Sequence, residues 1–423
     1  MGVIVRSLIR RTLRRVLVLA TVGALAVTLG PMPAQAAPVV PGPLFGQHIG
    51  SISQGTPPAL PKLGAVRLWD SRVTWREVEV ANNEYRWAKL DAAVRNARAL
   101  GAREILYTLG STPRWAASNP NSKLALYGPG SNTHPKSDNL YLDYLKAVAK
   151  RYKGRITSYQ VWNEANLHEF YLGTPTQMAK LTKKARAALR SVDPSAKLVA
   201  ASTTVRAKGP VGKFGKAYGK AMRKVGWPVD VVSGHFYPPA KDGPATRAAY
   251  IKTIKRYYRK YGAGRKPLWD TEVNFGDTRP YMKVKVRNTG AKAATYVART
   301  YIDSMRYGVS RVFWYGWDLH QMGTDMTSRT GSGISAGGRA FLATQDWMAG
   351  RTWLGCKTKS RITTCNMRTS SGGKLSIRYA SSSKALKLPA GTTAIRRLDG
   401  SRSAASAGQS ITLTSQPILI VGA

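Results

Sequence analysis

Short apolar stretches alternate with longer, mostly amphipathic segments eight times along the chain, and this order constrains the fold more than any other feature. The apolar stretches have the length and composition of buried strands. They are residues 44–49, 64–70, 104–109, 156–162, 198–201, 229–237, 266–272 and 310–318. Residues 87–100 show helical spacing, with Trp87, Leu90 and Val94 on one face. Eight strand–helix units predict a closed (β/α)8 barrel over residues 37–350.

After residue 350 the spacing changes from helical to alternating. Leu375, Ile377 and Tyr379 alternate with polar residues, and further short strands follow, separated by glycine and serine turns. Residues 351–423 are therefore predicted to form a small antiparallel β module, sandwich-like in character. Its Cys356 and Cys365 predict a disulfide if the chain is exported, and two buried thiols are the alternative. A metal site is not expected there, because no His–Cys cluster accompanies the pair.

The first 36 residues have the features of a secretory signal peptide. Arginines at positions 6, 10, 11, 14 and 15 precede an apolar run over 16–29 and an Ala34-Gln-Ala36 cleavage pattern. The predicted location is therefore extracellular, with no stable membrane span after cleavage. An uncleaved membrane anchor is the alternative, and the sequence does not choose between general and twin-arginine export. No later stretch is apolar enough to span a bilayer.

The formal net charge is +45, from 66 Lys and Arg against 21 Asp and Glu. A field of this sign attracts polyanions such as acidic polysaccharide or the anionic cell envelope. A soluble, cation-coated surface explains the same charge, and both interpretations stay open. Nucleic acid is not an expected partner, because no recognition module is present and export argues against it.

Glutamate is scarce, and two of the seven glutamates close predicted strands. Glu164 follows the fourth strand and Glu272 ends the seventh. A (β/α)8 barrel carries its chemistry at the carboxyl ends of its strands. Two carboxylates that share a pocket there can cleave a glycosidic bond, one as the acid and the other as the nucleophile or base.

The sequence Trp162-Asn-Glu-Ala-Asn166, with Glu272 on a later strand, resembles the clan A glycoside hydrolases, most closely family 39, over about residues 45–350. The resemblance implies a retaining double displacement without cofactor or metal, with Glu164 as acid/base and Glu272 as nucleophile. It implies that Asn163 binds the sugar 2-hydroxyl. Family 39 proteins often carry a β module like the predicted one. We expect a structural role for it, with separate carbohydrate binding as the alternative.

The resemblance also implies four further site positions. Arg67 on the second strand is expected to bond the nucleophile, with a plain salt bridge as the alternative. His235 and Tyr237 lie two apart and point the same way from an extended strand. They are expected to contact the nucleophile or substrate, whereas a satisfied core histidine is equally compatible with His235. Either Trp314 or Trp317 is expected to form the floor of the first sugar subsite, with structural packing as the alternative for each.

The predicted function is thus a secreted retaining glycoside hydrolase acting on a carbohydrate. The alternative is a non-catalytic, cationic glycan- or envelope-binding protein on the same barrel. The sugar, its linkage and the choice between exo and endo action stay open.

Overall fold

A computed structural model describes residues 37–54, 62–206, 212–331 and 333–422. Eight strands form one parallel sheet, and they are β1 Phe45–Gln47, β2 Ala65–Leu68, β3 Glu104–Thr108, β4 Ser158–Gln160, β5 Lys197–Val199, β6 Val232–His235, β7 Leu268–Val273 and β8 Val309–Trp314. The helices are α1 Trp75–Val78, α2 Ala88–Ala99, α3 Asp138–Arg151, α4 Pro175–Val192, α5 Lys213–Lys224, α6 Pro244–Lys260, α7 Gly290–Tyr307 and α8 Ala336–Met348.

The sheet closes into a barrel. Its hydrogen-bonded order is β5-β4-β3-β2-β1-β8-β7-β6, and a parallel bridge between Val199 and Val231 joins the two ends. Helices α2 to α8 each follow the strand of the same number, and α1 is a single turn that precedes α2. Between β1 and β2 the described residues form only the 3-10 turn Gly50–Ser53. The predicted (β/α)8 barrel is confirmed.

Local sequence signals explain where the longer helices begin. Thr174 caps α4 by accepting from the Gln177 amide at 3.1 Å, while the Gln177 side chain accepts from the Thr174 amide at 2.8 Å. Pro175 occupies the first helical turn, where its missing N–H costs nothing. The face carrying Met178 and Leu181 is buried against the barrel.

The barrel interior is apolar at its floor and polar above. The lower layer is a cluster of buried residues, namely Ala65, Leu106, Val199, Val231, Trp269 and Phe313. Glu104 begins β3 at this end and pairs with Lys197 and Arg311, both at 3.1 Å. Above the apolar layer, Gln160 donates to Ser233 at 3.0 Å and to Thr271 at 3.1 Å. This polar layer supports the side chains at the upper mouth of the barrel.

The predicted antiparallel β module follows α8. Its strands are β9 Thr352–Lys359, β10 Ile362–Arg368, β11 Lys374–Ala380, β12 Lys384–Lys387, β13 Ala394–Arg396, β14 Arg402–Ala404, β15 Ser410–Leu413 and β16 Ile418–Val421. Six of them form a sheet in the order β9-β10-β11-β16-β13-β14, and β12 pairs with β15. Leu419 belongs to the large core shared with the barrel, whereas Ile420 packs in a separate core with Leu388. Alternation along β16 thus gives the sheet two buried faces.

Two further contacts tie the module to its surroundings. Cys356 and Cys365 face each other on β9 and β10 and form the predicted disulfide. The Tyr379 hydroxyl donates to Asp303 of α7 at 3.1 Å, and the Arg299 guanidinium lies 4.0 Å from the Tyr379 ring centroid. The module is therefore held to the barrel by polar contacts as well as by a common core.

The segment that precedes β1 pairs with the module. The Val40 amide donates to Arg351 and the Trp353 amide donates to Pro38, both at 2.8 Å. The predicted signal peptide, residues 1–36, lies outside the described residues, so export stays a prediction. Among the helices of the described ranges, none has both the length and the apolar character needed to cross a bilayer.

Candidate active site

Glu164 lies just beyond the carboxyl end of β4, at the upper mouth of the barrel. Its backbone is left-handed, with φ of 38°, a conformation that is uncommon for a residue with a side chain. The Glu164 amide donates to the Ser202 hydroxyl at 3.0 Å, which holds this turn against the segment after β5. The turn leaves Glu164 8% exposed, with its carboxyl directed across the pocket toward His235. Unusual backbone of this kind is common at functional sites.

A local irregularity in β7 brings Glu272 into the same pocket. Trp269 points into the barrel, Asp270 points outward to Arg247 of α6, and Thr271 points inward to Gln160. The pairing register of β7 then shifts against both neighbouring strands near Glu272. Strict alternation would turn Glu272 outward, and the bulge turns it inward instead. Bulges beside active sites re-aim side chains in this way.

The two carboxyl groups face each other with His235 between them. One oxygen of Glu164, one oxygen of Glu272 and His235 Nδ1 all lie within 4.8 Å of one another. His235 Nδ1 is 3.0 Å from Glu164 Oε1 and 3.8 Å from Glu272 Oε1. The pocket therefore has the paired acids that bond cleavage requires, at short range.

Arg67 is the centre of the network beneath the pair. Its Nη1 donates to Glu272 Oε2 at 2.7 Å, its Nη2 to Asn163 Oδ1 at 2.7 Å, and its Nε to Gln160 Oε1 at 3.0 Å. The guanidinium is fully buried, so its charge is balanced inside the protein by Glu272. His48 Nε2 also lies 3.2 Å from Nη1 and can accept from it only as a neutral imidazole. One side chain thus orients Glu272 and Asn163 together.

Tyr237 and His235 both point into the pocket from β6 and the residues that follow it. The Tyr237 hydroxyl donates to Glu272 Oε1 at 2.8 Å, and burial raises the pKa of Tyr237, which keeps that proton in place. Burial lowers the pKa of His235 to about 3, so its imidazole is neutral beside Glu164. Glu272 thus accepts from a guanidinium and a phenol, Arg67 and Tyr237, whereas Glu164 contacts the neutral His235 ring and the Thr204 hydroxyl.

These surroundings separate the protonation states of the two acids. Burial raises the pKa of Glu164 to about 7, although Arg206 and Arg67 oppose the shift. Burial also raises the pKa of Glu272, and the adjacent Arg67 lowers it. Because hydrogen bonds and a buried cation stabilise the ionised form of Glu272, the shared proton resides on Glu164. Burial thus raises the pKa of both acids, and Glu272 is the one with a hydrogen-bonded guanidinium that opposes the rise.

A metal ion fits this cluster less well than a proton does. In the described part of the chain, Glu164, His235 and Glu272 are the one group of three side chains whose ligand atoms converge. Glu272 Oε2, however, already accepts from the Arg67 guanidinium at 2.7 Å. A divalent cation bound there would lie beside a buried positive charge. We therefore assign no metal to the pair.

The structure adds an acid and two phenols that the sequence analysis did not select. Asp70 lies just after β2 and hydrogen-bonds both Tyr127 and Tyr315. Burial raises the pKa of Asp70, while these two hydroxyls lower it. The signal for Asp70 was its position at the carboxyl end of a strand. Nothing local marks Tyr127, which reaches the pocket from the long loop between β3 and α3.

Neither tryptophan expected to floor the first subsite lies in the pocket. Phe313 points into the barrel, so alternation along β8 turns Trp314 outward. There it packs against Phe275, with 6.0 Å between the ring centroids. Trp317 packs against Phe341 of α8, with 6.1 Å between the ring centroids. Tyr315 has the inward direction instead and clusters with Tyr237 at the mouth. The aromatic wall at this place is therefore Tyr315.

Comparison with known proteins extends the fold assignment. No protein-family pattern matches the chain, and no curated protein is significantly similar in sequence. Solved structures do match. One is a family 39 glycoside hydrolase from Bacteroides cellulosilyticus WH2, with a TM-score of 0.67 and 17% identity over 92% of this chain and 83% of that chain.

Two other structures agree with it. A family 39 β-xylosidase from Caulobacter crescentus matches with a TM-score of 0.65 and 15% identity, over 92% of this chain and 97% of that chain. The catalytic domain of the family 30 xylanase C from Talaromyces cellulolyticus matches with a TM-score of 0.58 and 15% identity, over 92% of this chain and 98% of that chain. The chain shares the fold of these glycoside hydrolases over 92% of its length, and the predicted resemblance to clan A is confirmed for the fold.

Proposed function

We propose that this protein is a retaining glycoside hydrolase that is exported from the cell and cleaves a carbohydrate by double displacement. One observation carries the proposal: two buried carboxyl groups, with oxygens within 4.8 Å, have opposite surroundings. Retaining enzymes separate these groups by about 5–5.5 Å, whereas inverting enzymes leave about 6.5–9.5 Å for a water molecule. The short separation favours retention. The fold shared with glycoside hydrolases supports the same reaction class.

Glu272 is the proposed nucleophile. Arg67 and Tyr237 keep its carboxylate ionised and fix the orientation of its oxygens at 2.7 and 2.8 Å. The carboxylate attacks the anomeric carbon, the bond to the leaving oxygen breaks, and a glycosyl-enzyme forms. Asn163, whose side-chain oxygen accepts from Arg67 at 2.7 Å, is the residue proposed to bind the sugar 2-hydroxyl through its amide.

Glu164 is the proposed acid/base. With a pKa of about 7 it starts protonated and gives its proton to the departing oxygen. Its carboxylate then takes a proton from water as the water attacks the glycosyl-enzyme, which restores the starting state. His235, neutral and 3.0 Å away, positions this carboxyl without competing for its proton.

Sugar release from a panel of neutral and acidic glycans tests the proposal. Wild type is expected to release reducing sugar from at least one glycan, with retention of anomeric configuration by NMR, and Glu272→Ala is expected to be inactive. Glu164→Ala should still cleave an aryl glycoside with a good leaving group, and added azide should accelerate it, because azide needs no general base. Full activity in Glu272→Ala would show that the assignment is wrong.

A further inference from the structure

Two arginines that the proposed mechanism does not use lie at the mouth of the pocket. Arg206 follows β5, Arg279 follows β7, and both approach Asp277. Arg279 holds this carboxylate with two hydrogen bonds, at 2.9 and 2.6 Å, whereas the Arg206 guanidinium is 3.8 Å away. Asp277 is fully buried, and the two arginines are 30% and 27% exposed. Two cations thus share one anion, and one positive charge stays unbalanced at the mouth.

These arginines lie on the Glu164 side of the pocket. The Thr204 amide donates to Asn166 at 2.9 Å and the Val205 amide donates to the His235 carbonyl at 3.1 Å, so the chain leading to Arg206 runs beside Glu164. The Arg206 guanidinium lies 5.6 Å from the Tyr237 ring centroid. Among charged groups, Arg206 opposes the burial-raised pKa of Glu164 most strongly, and it is not among the main influences on Glu272. Glu164 protonates the leaving group, so this is the leaving-group side.

A basic, aromatic surface lies beside Arg279. The Arg279 guanidinium lies 5.0 Å from the centroid of the Tyr281 ring, and this tyrosine is 69% exposed. A surface cavity of about 570 Å³ adjoins it, lined by Pro239, Lys241, Asp242, Tyr281 and Lys283 among others. Two lysines against one aspartate leave the cavity positively charged. Sugar rings stack on exposed aromatic faces, so the surface fits a further unit of a glycan chain.

We infer that the leaving-group side of this cleft binds an anionic sugar, whose carboxylate or sulfate group pairs with Arg206 beside Arg279. The inference rests on the proposed function for the direction of the glycan and deepens it by naming a substrate class. Arg279 is anchored by Asp277, while Arg206 makes no hydrogen bond to any described residue and approaches Asp277 only at 3.8 Å, so a ligand anion can compete for it. A partly enclosed, unbalanced guanidinium gains more from an anion than an exposed surface cation does.

Pairing with a substrate anion also serves the chemistry. Without a substrate anion, Arg206 works against the acid/base, because it lowers the pKa of a group that must start protonated. An anion on the substrate offsets that charge and raises the pKa of Glu164 in the complex. The charged and titratable groups that face Glu164 are Arg67, Asp70, Arg206, His235, Tyr237, Glu272 and Arg279. Of these cations, Arg206 alone lacks a close partner among the described residues.

Matched polymers separate this site from the overall positive field. Polygalacturonate, alginate and hyaluronan are each compared with their carboxyl-reduced, neutral forms, and dextran sulfate is compared with dextran. Binding is measured by calorimetry on Glu164→Gln protein, which does not turn over. Adding Arg206→Gln is expected to weaken binding of at least one anionic polymer by at least 10-fold and to leave its neutral form unchanged. Arg95→Gln/Arg98→Gln, on the exposed face of α2, is the control and should change binding less than 2-fold.

The inference is overturned if no anionic polymer binds more tightly than its neutral form. It is also overturned if Arg206→Gln changes binding no more than the α2 control does. The carboxylate and sulfate arms identify which anion is taken. Charge discrimination without sugar release by wild type would refute the proposed function and keep the inference. Sugar release at equal rates from acidic and carboxyl-reduced polymers, in wild type and in Arg206→Gln alike, would support the proposed function and refute the inference.

A kinetic readout distinguishes charge pairing from a merely structural role. For an acidic polymer that is cleaved, kcat is expected to fall at a higher pH than kcat/KM does. The pH profile of kcat reports the pKa of Glu164 in the complex, whereas that of kcat/KM reports its pKa in the free enzyme. In Arg206→Gln the two profiles should fall at the same pH. Separate profiles in that variant would contradict the pairing.

Discussion

Replacing Glu164 by Gln should stabilise the protein at alkaline pH, although it removes the proposed acid/base. Glu164 is 8% exposed, and burial raises its pKa from 4.5 to about 7. Above pH 7 the folded protein must hold an ionised carboxylate that faces a neutral imidazole. A rise in pKa from 4.5 to about 7 corresponds to roughly 3 kcal/mol of unfavourable free energy at pH 8. Glutamine has the same shape and avoids this cost.

The raised pKa of Glu164 determines how stability changes with pH. A carboxyl whose folded pKa is raised stabilises the fold fully below its unfolded pKa, and that contribution is lost as pH rises through the folded value. Wild type therefore loses stability between about pH 4.5 and 7 from this group, and Glu164→Gln does not. The advantage of the variant should grow by about 2–3 kcal/mol from pH 5 to pH 8.

Thermal unfolding of the two proteins at both pH values measures the effect. The unfolding entropy of a chain of this size makes 1 kcal/mol worth roughly 1 °C, so the Tm difference should widen by about 2–3 °C. Glu272→Gln is the matched contrast. It leaves the buried Arg67 charge without its carboxylate and should lower stability by about 3–5 kcal/mol at both pH values. A Tm difference for Glu164→Gln that does not change with pH would refute the reasoning.

Three further predictions follow from other contacts. Activity should fall as pH rises through about 7, because Glu164 must be protonated to act as the acid; a profile of kcat/KM against pH checks this, and an unchanged rate at pH 9 would contradict it. Arg247→Ala should destabilise by about 3–5 kcal/mol, because it leaves the buried Asp270 unpaired, and urea unfolding with Asp270→Asn/Arg247→Met as the control measures it. Cys356→Ser/Cys365→Ser should lower stability by about 2–3 kcal/mol and leave sugar release at 25 °C unchanged, whereas lost activity would tie the module to the site.

Much of the architecture was predictable from local pattern. Eight apolar stretches became the eight barrel strands, within a few residues at each end, because a strand buried on both faces needs a continuous apolar run. The module was predictable from its change to period-two alternation. Glu164 and Glu272 were predictable as a pair because both close strands, and parallel strands bring their carboxyl ends to one mouth.

The details of the site were less predictable, because they depend on side-chain direction near strand ends. The expected tryptophans, Trp314 and Trp317, pack in the outer core, and Tyr315 takes the inward place. A one-residue difference in alternation decides this, and only the register with neighbouring strands sets it. The inward turn of Glu272 likewise depends on a bulge that no residue type in β7 announces.

The amino-acid sequence by itself determined the order of strands and helices, the class of barrel, and the two strands that end in glutamate. These features depend on periodicity and on residues close together in the chain. Only the tertiary structure decided the charge state of the pocket. Arg67 meets Glu272 across 205 positions, and Arg206 and Arg279 share Asp277 from different loops. Burial and charge act through space, so the pKa of Glu164 is a property of the folded chain alone.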